Sequence, residues 1–221
     1  MKLFAEAIIK FLMGLIIVGL LLFIPAGTLK YYNAWMLICV LFIPMFIVGI
    51  ILIFKNPMLL KSRIDAKENE REQKYVIAIS GLMFIVGFII AGLNYRFSWI
   101  IMPRIIVIIS IILFVISYIL YGIILKENVY LSRTIKVVDE QKLVDTGFYK
   151  IVRHPMYLIT IVLFLAIPLI LNSFISFIIF LVYPLIIVKR INNEEKVLES
   201  ELKGYKDYEK RVKYRLVPYV W

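Results

Sequence analysis

One cysteine and one histidine in 221 residues set the first limits. The lone Cys39 excludes an intrachain disulfide framework or a cysteine metal site, and the lone His154 excludes a histidine-rich zinc site. Cys39 sits inside an apolar block and is expected to be a small buried residue. Several signatures are also missing. There is no G-x-G-x-x-G for a dinucleotide turn, no Walker pattern for a phosphate loop and no G-x-S-x-G for a hydrolase nucleophile. Charged residues make up only 19% of the chain and are nearly absent from its apolar blocks, which leaves little to line a polar transport path.

What the chain does have is apolar length. It is 62% hydrophobic with a mean hydropathy of +0.92, where a soluble domain would be near half apolar. The apolar residues come in blocks of about 20, enough to cross a bilayer as helices. The predicted fold is therefore all-α and polytopic, with about six transmembrane segments and a C-terminal cytoplasmic helix. Four spans are expected at about residues 7–26, 33–54, 75–93 and 100–125. A last apolar stretch, 157–188, is too long for one span, and Asn172-Ser173 divides it into a hairpin of two short spans of about 15 residues each. Such arms either tilt little or let the turn stop inside the bilayer, shielded by protein. Lys10 interrupts the first apolar run and no small-residue cleavage pattern follows, so a retained first helix is expected rather than a signal peptide. Segment 58–74 reads as a solvated connection, with an amphipathic surface helix as the alternative. Residues 190–213 read as one charged helix whose Val197, Leu198, Glu201, Leu202, Tyr205 and Tyr208 roughly share a face, with Gly204 as its weak point.

The net charge of +11 does not point to nucleic acid, because the basic residues lie between apolar blocks. Loop 55–75, loop 126–153 and the tail from Lys189 carry most of them, while the alternate loops carry only Lys30, Arg96 and Arg104. By the positive-inside rule both termini and the basic loops face the cytoplasm, where anionic lipid is the expected contact. Trp35, Trp99, Tyr31 and Tyr32 stand near segment ends, where an aromatic belt is expected.

Three polar clusters fall on that side: Gln141-Lys142-Leu143-Val144, Tyr149 to Tyr157, and Arg190 to Glu195. The hairpin starts and ends there, so it should bring His154 and Tyr157 near Arg190 and Glu194. The chemistry on offer is binding chemistry. Arg190 can clamp a carboxylate or phosphate. Glu194 can hold an ammonium or a ribose hydroxyl, and Tyr149 and Tyr157 can stack on a ring or face a sulfonium. Singly, each residue also has a structural reading. His154 and Pro155 can be an ordinary helix start, the arginines topology anchors, the glutamates a solvated helix start and the tyrosines interfacial belt.

The ordered set is more specific than its parts. Gly147-x-Tyr149-x-x-x-Arg153-His154-Pro155-x-Tyr157 is followed by the hairpin, then Arg190-x-x-x-Glu194-Glu195-x-x-Leu198, then Tyr205-x-x-Tyr208-x-x-Arg211-Val212. Over about residues 128–218 this resembles the isoprenylcysteine carboxyl methyltransferase family and the related phospholipid N-methyltransferases. The lead-in Asn128-Val-Tyr-Leu-Ser-Arg-Thr134 looks like that of bacterial members. Phe148 stands where members commonly have proline, and Asp139-Glu140-Gln141 replaces a more basic or glycine-containing run. The resemblance implies a membrane methyltransferase using S-adenosylmethionine, with residues 1–127 as N-terminal spans and 128–221 as the methyltransferase region. It implies a multi-pass protein, bacterial in type, of the plasma membrane. Gln141, Lys142, Leu143, Val144, Tyr149, His154, Pro155, Met156, Tyr157 and Glu194 would line the cofactor pocket, and Arg190 would orient the substrate. The acceptor would be a lipidic, prenylcysteine-type carboxylate drawn from the bilayer. Other readings are a phospholipid amine acceptor, an NADPH-dependent sterol-type reductase with a similar Arg-His-Pro-x-Tyr piece, and a non-enzymatic membrane scaffold or transporter.

Overall fold

The computed structural model describes residues 2–64, 71–132, 137 and 140–221, and among them there is no strand. The helices are α1 (Lys2–Ala26), α2 (Tyr32–Lys55), α3 (Pro57–Ile64), α4 (Arg71–Phe97), α5 (Arg104–Glu127), a 3-10 turn η1 (Gly147–Lys150), α6 (Pro155–Ile170), α7 (Phe174–Phe180), α8 (Val182–Glu201) and α9 (Tyr205–Arg211). Five runs are long and apolar enough to cross a membrane: Leu3–Ala26, Tyr32–Lys55, Gln73–Phe97, Arg104–Glu127 and Phe174–Glu201. The all-helical, polytopic reading therefore holds.

Helix α4 is the spine, packing on α1, α7 and α8, while α5 packs along α6. In a bilayer apolar burial gives little drive between helices, so close packing must do the work. Two glycines of α4 permit it. A Cβ at Gly92 would lie 2.6 Å from the Leu22 carbonyl oxygen, so α1 and α4 meet backbone to backbone there. A Cβ at Gly87 would lie 2.3 Å from the Phe180 ring, and the Gly87 carbonyl accepts from Ser176 Oγ at 2.8 Å. Phe180 is wholly buried and meets Phe84 edge-on, with centroids 5.2 Å apart.

The hairpin turn falls at Leu171–Ser173, where Asn172 takes a φ of +57°. Helix α6 has 16 residues, about 24 Å of rise, against a hydrocarbon core of about 30 Å. The turn's carbonyls are met by side chains from other helices. Tyr31 OH donates to Leu171 O, Asn33 Nδ2 to Ile170 O at 2.7 Å, and Asn94 Nδ2 to Asn172 O at 3.1 Å. Asn172 Oδ1 in turn accepts from Met102 N–H at 2.8 Å. The turn is shielded by protein, as a short hairpin requires.

Several expectations are corrected. Tyr31 is no belt residue: it is 1% exposed and stacked on Tyr95, whereas Tyr32, Trp35 and Trp99 do face outward. Cys39 is exposed on α2 rather than buried. The returning arm of the hairpin is not a short span, because α7 and α8 follow each other with only Leu181 between them and run on to Glu201. Segment 58–74 is not all solvated connection. Asn56 Oδ1 accepts from Leu59 N–H at 3.1 Å and caps α3, which buries Leu59 and Leu60, and α4 already starts at Arg71. Residues 65–70 of that segment lie outside the described residues. The charged tail is two helices, broken where Gly204 adopts a φ of +87°, in the left-handed region that suits glycine.

Candidate functional site

The site lies at the other end of the bundle, where α5 finishes and α6 begins. Glu127 ends α5, and its Oε2 accepts from Phe148 N–H at 3.2 Å. This contact, with Gly147 at a φ of +50°, turns the chain into η1 and buries Tyr149. Asn128 Nδ2 donates to the Tyr149 hydroxyl at 3.2 Å, and Tyr208 OH donates to the Tyr149 carbonyl at 2.7 Å. Burial pushes the phenols of Tyr149, Tyr205 and Tyr208 well above their ordinary value, so all three are neutral.

After η1 the chain turns at Ile151 and bends at Arg153, and Pro155 opens α6 at its first turn, where its missing N–H costs nothing. Tyr157 then projects across to α8. Arg190 Nε donates to its hydroxyl at 2.8 Å, and that hydroxyl donates to Glu194 Oε2. The Arg190 guanidinium also lies over the Tyr157 ring at 5.8 Å. A cation, a phenol and a carboxylate thus form one chain across the gap between α6 and α8.

The neighbouring Glu195 does something different. Successive helix residues point about 100° apart, so Glu195 turns away from the gap and is 2% exposed. Its Oε1 lies 2.9 Å from Arg153 Nε and 3.2 Å from His154 Nε2, and its Oε2 lies 2.7 Å from Arg215 Nε. Arg153 also meets Glu209 at 2.9 Å. Two arginines and two glutamates leave this cluster near neutral, which is what allows Arg153 and Glu195 to be buried. Arg153 is therefore neither exposed nor a simple topology anchor.

These walls border a partly open cleft between α6, α8, α9 and the segment before η1. Gln141, Lys142, Leu143, Val144, Tyr149, His154, Met156, Tyr157, Arg190 and Glu194 all border it. Pro155 does not: it is buried in the first turn of α6 and acts on the cleft only by starting that helix. Residues not singled out as site residues border it too. They are Asn128 and Tyr130–Ser132 from the α5 exit; Arg153; Val197 and Leu198 from α8; Leu202 just past its end; and Tyr205 and Tyr208 from α9. Most belong to the motif pattern itself, so the signal was present without a role attached. Asp139, in the run that departs from the family pattern, lies outside the described residues. Among the described residues no three of His, Cys, Asp and Glu gather as a metal set.

Residues 106–200 match the model of the Isoprenylcysteine carboxyl methyltransferase (ICMT) family. No curated protein matches the chain. The matched stretch runs from the first turn of α5 to the last turn of α8 and includes η1, Arg153 to Tyr157 and Arg190 to Glu195. Over these residues the chain is similar to that family, and the five long apolar helices fit an integral membrane protein.

Proposed function

We propose that the cleft binds S-adenosylmethionine and that the protein transfers its methyl group to an acceptor carried on a lipid. The observation that carries this reading is the junction of Arg190, Tyr157 and Glu194 inside the family-matched stretch, with a neutral aromatic wall opposite. The residues suit the cofactor chemically. Glu194 can accept from ribose hydroxyls or face an ammonium, Gln141 to Val144 offer backbone and side-chain polar groups, and Tyr149 and Tyr157 offer ring faces to a cation. Bound there, the cofactor supplies an electrophilic methyl group on a sulfonium.

The protein's own part is alignment and exclusion of water. Positive charge disperses during the transfer, so no strong anion is needed beside the methyl group. Arg190 orients an acidic acceptor by its guanidinium fork. A carboxylate acceptor is ionised at neutral pH and needs no general base. An amine would have to lose a proton, and Glu194 could take it, whereas His154 already faces Glu195. We read His154 as a wall and a strut rather than a proton shuttle. On this reading the basic end faces the cytoplasm with both termini, residues 128–221 form the methyltransferase region on the spans of 1–127, and the acceptor arrives from the bilayer while the cofactor arrives from water.

Titration of the detergent-purified protein with S-adenosylhomocysteine and, in parallel, with NADPH tests it by calorimetry. Saturable binding of the former is expected. Binding of NADPH alone would favour the reductase reading, and binding of neither would favour a scaffold.

A further inference from the structure

No described residue beyond Tyr208 borders the cleft, yet the strip that follows α9 holds both of its walls. On the α6 side the contact is backbone. Arg153 N–H donates to Tyr214 O at 2.9 Å, and His154 N–H donates to Arg215 O at 2.8 Å. On the α8 side it is charge, with Arg215 Nε 2.7 Å from Glu195 Oε2. Arg215 is held in turn by Trp221, whose ring centre lies 5.2 Å from the guanidinium carbon. Trp221 is folded back onto the strip, its carbonyl accepting from Leu216 and Val217 N–H groups at 2.9 and 3.1 Å. Glu195 is adjacent to Glu194, so a shift of Glu195 moves α8 and with it the carboxylate that meets Tyr157.

We propose that Arg215 is a positioning residue: by clamping Glu195 from the strip it sets the spacing between the Arg153–Tyr157 wall and the Arg190–Glu194 wall. Its consequence for cofactor binding rests on the function proposed above, whereas the clamp itself does not. Arg215 suits a test because its side chain is 32% exposed, so replacing it leaves the buried Arg153–Glu195 pair in place. A site of this kind is sensitive to displacements of about 1 Å, so loosening the clamp should be felt in binding without loss of the bundle.

The test compares Arg215→Gln and Arg215→Lys with the unchanged protein by hydrogen exchange in detergent. In Arg215→Gln, amides in 149–157 and 190–198 are expected to exchange about tenfold faster, while the hairpin turn at 168–176 stays unchanged. Arg215→Lys, which keeps the charge, should fall much nearer the unchanged protein. Affinity for S-adenosylhomocysteine should drop about tenfold in Arg215→Gln and less in Arg215→Lys. Unchanged exchange at both walls, or a rise as large at 168–176, would overturn the clamp. So would an unchanged affinity in a protein that binds the ligand. If the unchanged protein binds no S-adenosylhomocysteine while the exchange pattern appears, the clamp stands and the cofactor reading falls.

Discussion

The carboxylate of Glu127 occupies the space that a side chain on Gly147 would need: a Cβ there would lie 2.0 Å from Oε1. Gly147 also sits at a φ of +50°, where other residues are strained. Replacing it with alanine should destabilise the protein by about 2 kcal/mol or more and displace Tyr149 from the cleft wall. Thermal melting in detergent should show the loss, and Glu127→Ala in the same background should restore part of it. A melting temperature unchanged in Gly147→Ala would show that η1 does not depend on this contact.

Glu194 and Arg190 meet Tyr157 from the same helix but should fail differently. Glu194→Ala is expected to weaken S-adenosylhomocysteine binding about tenfold or more, the size of one charged hydrogen bond. Arg190→Ala should leave that affinity within a few-fold and lower methyl transfer instead. Equal cofactor affinity in the unchanged protein and Glu194→Ala would remove Glu194 from the cofactor's contacts.

Sequence reasoning saw much of this arrangement and missed its division of labour. Apolar run length was enough to place the long helices, because a bilayer demands that length of any span. The convergence of His154 and Tyr157 with Arg190 and Glu194 followed from hairpin topology alone, and all four do border the cleft. Adjacent glutamates look equivalent in sequence. Only the helical phase separates Glu194, on the gap, from Glu195, buried among arginines. Tyr31 looked like an interfacial aromatic because nothing local reveals that its hydroxyl meets Leu171, 140 residues away. The break after Glu201 was legible in Gly204, whereas nothing in Phe174–Glu201 announces the division at Leu181.

At the turn end, Tyr31→Phe removes one hydroxyl and no packing volume. The Leu171 carbonyl then loses that donor, which should cost about 1–3 kcal/mol. The melting temperature should fall while ligand affinity at the opposite end stays as it was. A drop in affinity larger than the change in stability would mean that the two ends are coupled through α6.

Tyr149, Tyr205 and Tyr208 make the alkaline limb informative. Burial raises each phenol above its unfolded value of about 10. The folded protein therefore keeps protons that the unfolded chain releases. Their contribution is complete below about pH 10 and is lost as pH rises from there toward the folded values. Tyrosinate absorbance should rise in two stages, the second coinciding with loss of helical circular dichroism. A single reversible rise with helix content intact would contradict the burial of these rings.

The carbonyls of the hairpin turn bear on how the protein can be divided. Their donors come from Tyr31, Asn33 and Asn94, all upstream of the family-matched residues 106–200. A fragment reduced to that stretch would present Ile170, Leu171 and Asn172 oxygens to hydrocarbon, at several kcal/mol for each group left unmet. The stretch that bears the family's motifs is thus not a foldon in its own right. The upstream helices serve it as an intramolecular solvent, supplying at the end away from the cleft the hydrogen bonds that lipid cannot.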